Sequence, residues 1–219
     1  MEGEQRADAW KSTVETLQRF YTVIIAIALT SSLANLVTYL DDNPHTLLDR
    51  IKVIALATAL LSTIVPFYHG MERHLYETHR GTPKLGPGGK NFPLLVDVFV
   101  FIVEGGLLFT MGHNLSDPQD FLALWTLLLL VDIVWSLAVW IVQRTQAPIW
   151  ARNNFVWLLI AWGAWWGISR LIALQGCDLS RATTLMAVLL AVAEIGRSVT
   201  DYILNWKFYF PDNRSPRNG

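Results

Sequence analysis

The chain has 219 residues, 53% of them hydrophobic and only 16% charged, whereas an ordinary soluble domain carries about 25% charged residues. Its 17 Lys and Arg against 18 Asp and Glu leave a net charge of −1, so no basic excess exists to neutralise phosphates and nucleic acid is excluded as a partner. The single cysteine, Cys177, can form neither an internal disulfide nor a clustered thiolate site.

A helix that crosses a bilayer takes roughly 17 to 25 mostly apolar residues. Six stretches qualify: 20–40, 48–70, 94–113, 121–142, 149–174 and 182–206. The expected protein is therefore all-α and polytopic: a polar segment 1–19, a single bundle of six transmembrane helices over 20–206, and a tail 207–219. The first span follows acidic Glu2, Glu4, Asp8 and Glu15. Its cleavage context is poor, so it is expected to remain as a helix rather than to leave as a signal peptide. Asp41-Asp42-Asn43-Pro44 marks its end.

The second span ends in a dense polar run. His69, Glu72 and Arg73 fall at i, i+3 and i+4 on one side, where a metal or a phosphate headgroup would fit, Arg73 supplying bidentate contacts. The plainer reading is that these residues serve the helix C-terminus and its dipole. His74 stands five residues from His69, unlike the i, i+4 pair of a zinc helix, and His45 and His79 are placed in loops. No metal, haem or other cofactor is expected. Residues 81–90, rich in Gly and Pro, form the one long loop.

Asp97 and Glu104 of the third span stand about 20° apart on a helical wheel, and Gly105-Gly106 beside Glu104 admits a close backbone approach or a helix irregularity, the latter a feature of ion sites. The sequon Asn114-Leu115-Ser116 lies too near the membrane to count. Pro118 and Pro148 sit where the fourth and fifth helices start, positions that tolerate a missing N–H. The fourth span contributes Asp132. Gly163 and Gly167 in the fifth form a G-x-x-x-G pair that lets two helices pack closely, within the bundle or between subunits of a homo-oligomer. In the sixth, Glu194, Arg197 and Asp201 make a stripe at i, i+3 and i+7. Tyr21, Tyr39, Tyr68, Trp150, Tyr202 and Trp206 are expected at the lipid interface.

Most Lys and Arg lie before the first span, between the second and third, between the fourth and fifth, and after the sixth; the opposite side holds Arg50, Lys52 and Arg181. The positive-inside rule then puts both termini in the cytoplasm of a cell or inner membrane. With that topology Glu104, Asp132 and Glu194 fall near the midplane, while His69, Glu72, Arg73, Asp97, Asn153, Asn154, Arg197 and Asp201 fall in the inner half or at the cytoplasmic rim. Ionisable groups in hydrocarbon should face a partner, a cavity or water. A carboxyl that finds no cation there keeps its proton or holds a cation, as a proton relay or cation pathway requires.

The leading expectation is a channel or transporter for protons or small cations through Glu104, Asp132 and Glu194, with Arg197 and Asp201 as gate or counter-ion pair. An intramembrane enzyme on lipid or isoprenoid substrates is the alternative, built from the rim residues His69, Glu72, Arg73, Asp97 and Asp201. A third reading is a membrane anchor or effector that binds a cytoplasmic protein through 73–90 or the tail. No catalytic signature of the common hydrolases or NTPases occurs.

Overall fold

The computed structural model describes residues 2–41, 46–79, 92–143, 147–175 and 178–210. The loop 81–90, Cys177 and the tail beyond 210 lie outside the described residues. The helices are α1 (Glu2–Asp41), α2 (Leu47–His79), α3 (Phe92–His113), α4 (Pro118–Gln143), α5 (Ala147–Gln175), α6 (Leu179–Leu204) and the single-turn α7 (Trp206–Tyr209). Among the described residues no strand occurs. Five helices, α1, α2, α3, α4 and α6, are long and apolar enough to cross a membrane. α5 is 29 residues long, and its indoles and the run Arg152-Asn153-Asn154 reduce its hydropathy.

Local signals set the helix ends. Thr46 and Asp49 form a reciprocal capping box: the Asp49 N–H donates to Thr46 Oγ1 (3.2 Å) and the Thr46 N–H to Asp49 Oδ2 (3.3 Å). Asp117 Oδ1 accepts from the N–H groups of Gln119 (2.8 Å) and Asp120 (3.2 Å), and Pro118 opens α4 as expected. Asp178 caps α6 through the Ser180 N–H.

Two boundaries differ from the sequence reading. α1 is continuous from Glu2, because the polar residues ahead of Phe20 are good helix formers with no proline to stop them. α2 runs on to His79, past Gly70, and α1 fastens this extension: Trp10 Nε1 donates to the His79 carbonyl (2.6 Å) and Gln18 Nε2 to that of Glu72 (3.1 Å). His79 is thus helical, not in a loop.

The long helices close a ring in the order α1, α3, α4, α5, α6, α2, with α2 against α6 the most extensive pairing. Packing of α1 on α3 depends on two glycines. A Cβ at Gly105 would collide with the Ile24 side chain, and one at Gly112 with Ser32. Gly105 therefore serves close approach, and α3 is a regular α-helix there. Of the two readings of this glycine pair, close approach is the one observed, and the irregularity does not occur. Gly163 and Gly167 have nothing within 4 Å of where a Cβ would stand, so they make no close contact inside the bundle.

Pro66 sits inside α2. Proline has no N–H to give the carbonyl four residues back, which is that of Ser62, and Ser198 Oγ of α6 donates to that carbonyl at 2.6 Å. A freed carbonyl in an apolar interior needs such a donor. The break in one helix's hydrogen-bond ladder thereby fixes its register against the next.

Candidate functional site

Glu104, Asp132 and Glu194 all lie mid-helix and are buried. Glu194 is paired: Arg197 donates through Nε to both carboxylate oxygens (2.9 Å each) and through Nη2 to Oε1 (2.6 Å). Trp125 Nε1 donates to Glu194 Oε2 at 2.8 Å. Arg197 Nη1 then donates to Asn154 Oδ1 at 3.0 Å, and the other end of that amide, Nδ2, donates to Asp132 Oδ2. Asn154 is thus the bridge between the α4 acid and the α6 cation. The guanidinium also lies over the Phe67 ring, 5.2 Å from its centroid.

Asp201 belongs to the same stripe but has other partners. The Tyr209 hydroxyl donates to Asp201 Oδ2 at 2.5 Å and Asn205 Nδ2 to Oδ1 at 2.8 Å. Asn205 ends α6 and lets α7 fold back, so that Tyr209 is buried against Gly70. Burial and the adjacent Asp201 carboxylate push the Tyr209 phenol well up, which keeps it a proton donor. Of the two acids on its own stripe, Arg197 pairs with Glu194, and Asp201 is held by Tyr209 and Asn205 instead of standing as its counter-ion. Between these groups lies a cavity of about 40 Å³, lined by Asp132, Asn154, Arg197, Asp201, Trp150 and Tyr209 among others. A water needs roughly 10–15 Å³ on this measure, so the space suits a few waters and not a bulky solute.

Glu104 differs from the other acids. It is fully buried, and among the described residues neither of its carboxylate oxygens has a hydrogen-bond partner. The charged groups that act on it most are Asp132 and Asp97, both acidic. The Tyr21 hydroxyl, also buried and unpartnered, is within electrostatic range of Glu104. Tyr21 had been expected at the lipid interface; it is instead a core residue stacked on Tyr68.

Of the rim residues, His69 and Asp201 meet at Tyr209, while Glu72, Arg73 and Asp97 have other partners. His69 Nδ1 lies 3.3 Å from the Tyr202 hydroxyl and its ring packs on Tyr209. Arg73 pairs with Glu77 on its own helix, and Glu72 is approached by the Tyr68 hydroxyl (3.4 Å). Asp97 instead meets two residues that sequence reasoning passed over: His74 Nε2 at 3.0 Å and His79 Nε2 at 2.7 Å, both on Oδ2. Trp135 Nε1 donates to its other oxygen, Oδ1, at 2.8 Å. The ligand-type atoms of His74, His79 and Asp97 all lie within 4.8 Å of one another, and all three residues are buried.

Neither a protein-family model, nor a curated protein, nor a solved structure matches this chain significantly. The functional reading rests on this geometry alone.

Proposed function

We propose that the chain is a six-span protein of a cell or inner membrane, with both termini cytoplasmic, that moves protons through its interior by way of Glu104 and Asp132. The observation that carries this reading is Glu104: a mid-helix carboxyl, fully buried, with neither oxygen hydrogen-bonded among the described residues and with Asp132 and Asp97 acting on it. Buried polar groups almost always find a partner, and intramembrane ionisable groups without one mark proton or ion pathways. Asp132, the Asn154 amide and the small polar cavity extend hydrogen-bonding groups from mid-bundle toward α7.

Protons are favoured over hydrated cations because the cavity is small and because Arg197 projects into it. In this reading Glu194 is not a carrier, since Arg197 neutralises it; it anchors the cation that in turn holds Asn154. Tyr209 closes the cavity at the α7 end by its bond to Asp201. The lipid-enzyme alternative is weakened by Arg73 and Asp97, which are engaged apart from His69 and Asp201.

The test is proton flux into liposomes containing the purified chain, followed with an enclosed pH-sensitive dye under potassium and sodium gradients. Wild type is expected to acidify the lumen, and Glu104→Gln and Asp132→Asn to lose that flux while remaining folded. Unchanged flux in both variants would remove the proposal.

A further inference from the structure

We infer that His74, His79 and Asp97 form a mononuclear binding site for a divalent first-row transition-metal ion. The site joins the end of α2 to the start of α3, apart from the Glu104–Asp132 pathway.

Three features of the cluster support it. The donor set is two imidazoles and one carboxylate; nitrogen-rich sets of this kind select ions such as Fe²⁺, Co²⁺ and Zn²⁺ over the oxygen-preferring Mg²⁺ and Ca²⁺. Both imidazoles present the same nitrogen, Nε2, to the same oxygen of Asp97, at 3.0 and 2.7 Å. Ligands about 2.0–2.1 Å from a tetrahedral ion stand about 3.3 Å apart, close to both of these nitrogen–oxygen separations, and all three ligand-type atoms lie within 4.8 Å of one another. Finally, the supporting contacts are those that metal ligands use. His74 Nδ1 lies 3.3 Å from Thr78 Oγ1, and Trp135 Nε1 donates to Asp97 Oδ1 at 2.8 Å, leaving Nε2 and Oδ2 for coordination. Outer partners of this kind fix tautomer and orientation and tune affinity.

Each buried imidazole needs an acceptor, and Asp97 Oδ2 is within reach of both. Two converging on one carboxylate oxygen, each 4–7% exposed, place two imidazole rings with centroids 6.0 Å apart around a single acceptor. Three protein ligands leave one coordination position for water or a further ligand, the pattern of reactive rather than purely structural sites.

The test uses the full chain in detergent, stripped with a chelator and titrated with Co²⁺. Wild type is expected to bind one equivalent with the visible absorption of a nitrogen- and oxygen-ligated ion, displaced by Zn²⁺. The double variant His74→Gln/His79→Gln should lose the spectrum, whereas His69→Gln and His113→Gln should keep it. Trp135→Phe should weaken binding by about ten- to a hundredfold, as loss of an outer partner does. If the double variant does not fold, wild type still decides, because bound Co²⁺ must give the imidazole protons of His74 and His79 the large contact shifts of directly coordinated rings. No saturable spectrum in wild type, an undiminished one in the folded double variant, or contact shifts on a different pair of histidines would overturn the site. None of these readouts depends on proton flux.

Discussion

Arg197 is the side chain on which the interior turns, since it neutralises Glu194, holds the Asn154 amide and, through it, presents a donor to Asp132. Removing one member of a buried pair leaves an uncompensated charge and costs about 3–5 kcal/mol, whereas replacing both is far milder. Arg197→Met alone should therefore destabilise the chain strongly, and Glu194→Gln/Arg197→Met should recover most of the loss, as measured by unfolding in detergent. Recovery would also separate the structural pair from the proposed carriers, Glu104 and Asp132. At this scale the sequence disclosed only part of the site. A helical wheel showed that Asp97 and Glu104 share a face and that Glu194, Arg197 and Asp201 form a stripe, and all five are buried. It could not show which groups on other helices they meet. His74 and His79 lie about 140° apart on their wheel, at about 100° per residue, so periodicity assigns them to different faces. Asp97 enters between them from α3, and only the α2–α3 packing makes them neighbours.

Helix ends and crossings depend on individual small residues and breaks. Pro118 and Asp117 marked the start of α4 in the sequence, because capping and the missing proline N–H are local physics. The continuation of α2 beyond Gly70 is not local: Trp10 and Gln18 of α1 hold it. Gly112 is the tightest point of the α1–α3 crossing, where a Cβ would overlap Ser32. Gly112→Val should force these helices apart and cost about 1–3 kcal/mol, the usual penalty of overpacking; Gly163→Val, with open space around it within the single chain, should leave the unfolding midpoint of the monomer unchanged. α7 gives a functional counterpart. Tyr209→Phe deletes the donor to Asp201 and unlatches the cavity without removing the ring, so proton flux in liposomes should rise several-fold over wild type. A fall instead would mean that Tyr209 carries the proton rather than blocks it.

For the whole molecule, the all-helical character and the membrane-length helices were legible from composition and spacing, since hydrocarbon permits few alternatives to the helix. The ring order was not, because lipid-facing and core-facing apolar residues are chemically alike. Leu95, Phe99 and Ile102 of α3 are exposed while Leu94, Phe101 and Leu108 are buried. On α5, Trp162 and Trp166 are exposed beside Gly163 and Gly167, and this is the face proposed for a second copy. Gly163→Leu/Gly167→Leu should convert an oligomer in detergent to monomer, read by light scattering, with the monomer's own unfolding unaffected. The proposed topology predicts that single cysteines at Lys11 and Lys207, in a background lacking Cys177, react with membrane-impermeant thiol reagents only from the cytoplasmic side.

α1 has 40 residues and, at about 1.5 Å per residue, is about 60 Å long, about twice the roughly 30 Å of hydrocarbon in a bilayer. Lipid can conceal only part of it. The remainder stands clear as a rod, lashed to the last turns of α2 by Trp10 and Gln18. One of those lashings is on the backbone carbonyl of His79, and Trp135, which donates to Asp97, also lines the cavity. The rod is thus tied to the same end of α2 that carries both histidines.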